Sequence, residues 1–198
     1  MPNKTQKSRV EKLDEIRRAK QLLQSQLAEI TTEASELAAL QSVALGLYEE
    51  LDKLTKKSPV DTVTDFVLSQ LNDVIRETKR LVADDGYVQK LNEAVPAGDN
   101  PEQRDAIVML RQARQGLERH QGRIEPRIKI VLARLNEVDL LETAVETFLA
   151  DGSSIKKDDF DRFSAGYSFP VWFYSGFPRE FDFQRLDSTD ILAHFNLK

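Results

Sequence analysis

The sequence predicts a mainly α-helical protein: a long antiparallel coiled-coil hairpin with a short bundled helix and a small aromatic-rich C-terminal β-hairpin/helix module. Three observations carry this. Apolar residues recur at seven-residue spacing over two long segments, the signature of a coiled-coil seam. No glycine or proline interrupts the chain from Asn3 to Leu45. Eleven of the fifteen aromatic residues fall between Phe160 and Phe195. Residues 1–151 therefore read as a helical coiled-coil/bundle region and 152–198 as a small aromatic-rich α+β module.

The first helix runs from Ser8 to Lys57. Its seam is Ile16, Leu23, Ile30, Leu37, Ala44 and Leu51, with Ala19, Leu27, Ala34, Leu40, Leu47 and Leu54 as companions. Ser58-Pro59 with Asp61 then reads as a new helix start, continuing to Val82. Its stripe is Val60, Val63, Val67, Leu71, Val74 and Leu81, widened by Phe66, Leu68, Ile75 and Val82. So wide an apolar face predicts packing against two helices. A short helix, Tyr87 to Val95, precedes the "PAGDNP" loop.

The second long helix opens at Asn100-Pro101, a capping residue before a first-turn proline, and closes at Asp151-Gly152. Leu110, Leu117, Ile124, Val131, Val138 and Val145 form its seam. Pro126 lies inside it. Proline deletes one backbone hydrogen bond, but the seam continues past it, which predicts one bent helix.

Charge chooses the pairing. Lys4 to Lys20 carries seven bases and three acids, and Gln21 to Asp52 six acids and no base. Arg111 to Arg134 carries seven bases and two acids, and Leu135 to Asp151 five acids and no base. Antiparallel pairing sets each basic block beside an acidic one. It places Ile16 near Asp139 and Leu40 near Gln115. The competing layout is an up-down-up three-helix bundle with the two long helices parallel.

After Gly152, "SSIKKDDFDRF" reads as a short helix, "FPVWFY" as a strand and "SGFP" as a turn. "REFDFQRL" reads as a second strand with Phe181 and Phe183 inward, and "LDSTDILAHF" as a capped final helix. Successive side chains on a strand point to opposite faces, so Val171, Trp172, Phe173 and Tyr174 cannot all fill one small core. Pro170, Trp172, Tyr174 and Phe177 are therefore the expected partner-binding residues; Trp and Tyr suit a half-wet contact. The competing reading makes the whole stretch a miniature core.

The chain has no cysteine, which excludes disulfides and thiolate metal sites. It has no apolar run of about 18 residues, so no membrane span is expected. "MPNKTQKSRVEKLDE" holds no apolar signal core, and a cytoplasmic location is expected. The net charge of −5 argues against general nucleic-acid binding. His120 and His194 lack metal-ligand spacing, and Asp158, Asp159 and Asp161 lack the calcium-loop pattern. "DGSSIKK" is not a phosphate loop. No catalytic residue, metal or cofactor is expected, and the chain reads as no enzyme. The expected function is a non-enzymatic coiled-coil scaffold or adaptor subunit that mediates assembly with a protein partner or a second copy of itself. The alternatives are a nucleic-acid-associated regulator using the arginine-rich helix 111–134, and an enzyme whose site is not visible in the sequence.

Overall fold

A computed structural model of the chain describes residues 4–91, 100–151 and 183–197. Of these residues, 85% are helical and none lies in a strand. Among the described residues six helices follow in order: α1 Lys4–Lys57, α2 Asp65–Leu81, α3 Gly86–Gln89, α4 Gln103–Asp151, α5 Phe183–Ser188 and α6 Ile191–His194. α4 runs uninterrupted through Pro126. The chain divides into two compact units. One holds residues 1–28 and 128–198, the other residues 29–127.

Every seam position expected from the heptads is buried. On α1 these are Ile16, Leu23, Ile30, Leu37, Ala44 and Leu51; on α4 they are Leu110, Leu117, Ile124, Val131, Val138 and Val145. The companion row on α1 is less protected. Ala19 and Leu47 are buried, Leu27, Ala34 and Leu40 are half-buried, and Leu54 is exposed. One α1 row therefore does most of the packing.

In the first unit, Arg17 of α1 contacts Glu142 (3.0 Å) and Glu146 (2.7 Å), and Lys20 contacts Asp139 and Glu142 (2.8 Å each). Residue numbers fall along α4 as they rise along α1, so the two segments pair antiparallel here. Asp139 meets Lys20, one turn beyond the expected Ile16. The C-terminal residues join the same unit. Arg9 pairs with Asp187 at 3.2 Å, Lys12 donates to the Thr189 carbonyl at 2.7 Å, and Glu15 accepts from the Ile191 amide at 2.9 Å. Leu186, Ile191, Phe195 and Leu197 are buried. Asp190 caps α6 by accepting from the Ala193 amide.

One expected strand is corrected. Phe183 to Leu186, the end of the second strand read in "REFDFQRL", are helical within α5. The alternating phenylalanines suggested period two. The residues that follow anchor instead through Leu186 and the Arg9–Asp187 pair, which a turn of helix presents together. The β-hairpin of the expected C-terminal module is not seen; the first strand, 169–174, lies outside the described residues.

In the second unit, Glu33 of α1 meets His120 (2.8 Å) and Arg127 (3.0 Å), Gln41 meets Gln121 (3.0 Å), and the Tyr48 hydroxyl accepts from Arg111 (3.2 Å). The acidic part of α1 thus lies along the basic part of α4. α2 starts at Asp65, capped by the Thr64 hydroxyl, and not at Ser58-Pro59. The reason is non-local. The Asp61 and Pro59 carbonyls accept from the Gln103 and Arg104 amides, and Val63 donates to the Pro101 carbonyl. Residues 59–63 therefore satisfy the free amides that open α4, a task a helix there could not perform. Asn100 does not cap α4. Its amide donates to the Val63 carbonyl and the Asp65 carboxylate. The face of α2 is narrower than expected: Val63, Val67, Leu71, Val74, Ile75 and Val82 are buried, whereas Phe66 and Val60 are exposed.

α3 is shorter than the expected 87–95 and ends at Gln89; residues 92–95 lie outside the described residues. It packs on α4 at Gly116. A Cβ on Gly116 would lie 2.4 Å from the Val88 Cγ2, which is closer than carbon atoms approach. Val88 is buried and β-branched, so it cannot swing clear. Gly46 and Gly122 have open space at the same position.

These glycines should therefore differ in sign. Gly116→Ala is expected to lose about 1–3 kcal/mol through overpacking. Gly46→Ala and Gly122→Ala should each gain about 0.5–1 kcal/mol from helix propensity. Urea unfolding of the three variants measures this. A Gly116→Ala protein as stable as wild type would mean that Val88 is not held against α4.

Candidate functional site

A side-chain arrangement with space for a ligand lies in the second unit, between α2–α3 and α4. It begins with charge. The turn between α2 and α3 carries Asp84 and Asp85, and α4 presents Arg119 and Arg123 one turn apart. Asp84 meets Arg123 at 2.6 Å, and Asp85 meets Arg119 at 3.0 Å. The same Asp85 carboxylate caps α3, accepting from the Tyr87 and Val88 amides at 2.9 and 3.3 Å. Burial works to raise the Asp85 carboxyl. The two amides and the Arg119 guanidinium outweigh it and hold the group below its ordinary value.

Gln89 ties the other end. Its side-chain amide donates to the Lys79 and Val82 carbonyls at the C-terminus of α2. These bonds fix a four-residue helix that would not form alone.

Against that frame sits a cavity of about 590 Å³, lined by Ile75, Tyr87, Val88, Lys90, Leu91, Met109, Gln112, Gln115 and Arg119. Ile75 and Val88 are buried at its floor, and Tyr87 is 82% exposed. The Arg119 guanidinium carbon lies 5.9 Å from the Tyr87 ring centroid, so one cation holds both a carboxylate and a ring. Lys90, Gln112 and Gln115 make no side-chain hydrogen bond or ion pair among the described residues. The cavity is apolar at its base, with donors at its rim.

A second polar cluster lies on the seam itself. His120 is 6% exposed; its Nε2 meets Glu33, and its Nδ1 has no partner. Glu33 also meets Arg127. His194, in the first unit, meets Glu137 at 3.0 Å. Burial raises the Glu137 carboxyl, and the hydrogen bond from His194 opposes the shift. His120 thus contacts the Glu33 carboxylate and His194 that of Glu137. No group of three or more metal-ligating side chains converges among the described residues. No helix among them is long and apolar enough to cross a membrane.

The expected partner-binding residues Pro170, Trp172, Tyr174 and Phe177 lie outside the described residues, as do Asp158, Asp159 and Asp161. The arginine-rich stretch read as a possible nucleic-acid face is extensively paired. Arg119, Arg123 and Arg127 meet carboxylates, and Arg114 lies 3.8 Å from Glu118 and 4.8 Å from the Tyr48 ring centroid. Half of that neutralisation comes from Asp84 and Asp85, not from α1. The sequence does not announce the cavity, because its lining comes from three separate elements. Gly116, an isolated glycine inside a heptad helix, was the one local signal of close approach there. Comparison with protein-family models, curated proteins and solved structures finds no match to the chain.

Asp85 offers a test of the frame. Asp85→Ala should cost about 1 kcal/mol through the lost cap. A carboxyl held below its ordinary value stabilises above the unfolded value, about 3.9, and stops doing so as pH falls through the folded one. The gap between wild type and Asp85→Ala should therefore be widest near pH 7 and close below about pH 4. Urea unfolding across that range measures it, and a constant gap would exclude a charge-dependent role.

Proposed function

We propose that this chain is a non-enzymatic scaffold or adaptor subunit, built as an antiparallel coiled-coil hairpin, that joins a protein partner or a second copy of itself. The observation that supports it most is the division of the long helices into a buried seam and exposed apolar flanks. On α1, Val43 is 58% exposed and Leu45 43%; on α4, Ile130 is 52% exposed and Leu132 44%. Helices that spend one row on each other and keep further apolar side chains outside are suited to a further chain. The aromatic stretch with Pro170, Trp172, Tyr174 and Phe177 is the proposed contact, because aromatic residues dominate interface hot spots.

The nucleic-acid reading has less support. Its arginines are already opposed by carboxylates, which reduces the charge left for a phosphate backbone.

The contact proposal is tested by comparing Trp172→Ala with Phe181→Ala. Trp172→Ala is expected to keep the melting temperature and weaken association by about 2 kcal/mol or more. Phe181→Ala is expected to cost about 3–5 kcal/mol of stability. Sedimentation velocity and thermal unfolding of both variants decide. If Trp172→Ala unfolds the protein as Phe181→Ala does, the ring serves the core and the docking assignment fails.

A further inference from the structure

We propose that the cavity between α2–α3 and α4 binds a single-chain amphiphile with an anionic head group, a medium-chain carboxylate being the simplest example. The inference is independent of the scaffold reading. Its volume of about 590 Å³ falls within the range of small-molecule pockets, roughly 300–1,000 Å³. Its chemistry is two-sided. Ile75, Val88, Leu91 and Met109 supply an apolar base for a hydrocarbon tail. The rim supplies cations and amide donors that could meet a head group. Lys90 carries an ammonium with no carboxylate partner among the described residues, and the Gln112 and Gln115 amides are likewise unengaged. Arg119 adds a second positive charge beside them, although Asp85 already takes part of it.

That balance selects the head-group charge. Among the described residues no carboxylate lines the cavity, so a cationic amphiphile would bring its charge to Lys90 and Arg119, of which only Arg119 has a carboxylate, Asp85, beside it. A neutral amphiphile could bury its tail but would leave Lys90 without a charged partner. An anion meets the ammonium and the two amides at once, and charge-assisted hydrogen bonds are the stronger ones. The base is also prepared before a ligand arrives. Val88 is locked against Gly116, and the Asp85 cap and Gln89 hold α3 in place. A pre-formed wall loses little freedom on binding.

Isothermal titration calorimetry of the intact chain tests this with octanoate, decanoate and dodecanoate, each below its micellar concentration, and with dodecanol. Saturable binding at about one site is expected. Affinity should rise about fourfold per added methylene, the value of burying a methylene in an apolar site. Dodecanol should bind at least tenfold more weakly than dodecanoate. Lys90→Glu should weaken dodecanoate about tenfold or more and leave dodecanol unchanged. Met109→Trp, which fills the base, should abolish both while the melting temperature stays within a few degrees. Equal affinity for dodecanol and dodecanoate would overturn the head-group assignment. Non-saturating binding, binding indifferent to Met109→Trp, or no binding at all would overturn the site.

Discussion

A side chain in every seven on α1 and on α4 has to leave water, and a lone helix cannot hide its own seam. The twelve positions from Ile16 to Leu51 and from Leu110 to Val145 are all buried, so each compact unit is organised around segments of these two helices. Burial alone does not choose direction, because an apolar stripe packs against another in either sense. Charge does. Arg17 and Lys20 find Glu142, Glu146 and Asp139 in the first unit, and Glu33 finds Arg127 in the second. The Lys20 ammonium is stabilised in its charged form by Asp139 and then Glu142, and Glu142 is held ionised by Lys20 and then Arg17. Such partly exposed pairs are individually weak. They matter because the parallel arrangement would set like charges side by side, and orientation responds to that difference.

Polar groups on the seam refine the same choice. His120 occupies a buried position and meets Glu33 with one nitrogen while the other has no partner. An apolar side chain there would bury more cheaply. A buried polar residue that finds its partner in one register only is a known means of specifying that register.

The additions to the second unit depend on close approach more than on area. Gly116 lets Val88 reach α4, and Asp85 serves at once as cap for α3 and as counter-ion for Arg119. The same contacts that settle α3 leave an enclosed apolar base with a cationic rim. A structural device and a ligand-sized space therefore share one cause: a very short helix pinned closely to its neighbours at both ends.

The two long helices and their seams were legible in the sequence because the heptad period is a local property, repeated many times along each segment. The antiparallel sense of pairing was legible too, since blocks of like charge can be read without coordinates. Helix starts were not. Ser58-Pro59 and Asn100-Pro101 carry good local start signals, yet the carbonyls of Pro59 and Asp61 are taken by the amides of Arg104 and Gln103, some forty residues away in sequence. Phe181 and Phe183 read as a strand by alternation, but α5 begins at Phe183 because Leu186 and Asp187 have burial and an arginine to reach. The cavity left no linear trace beyond Gly116, for Ile75, Val88 and Met109 belong to different elements and converge only when those elements pack. Period and charge order are written along the chain. Caps, close approaches and enclosed space arise from contacts between residues far apart in it, and those only the tertiary structure decided.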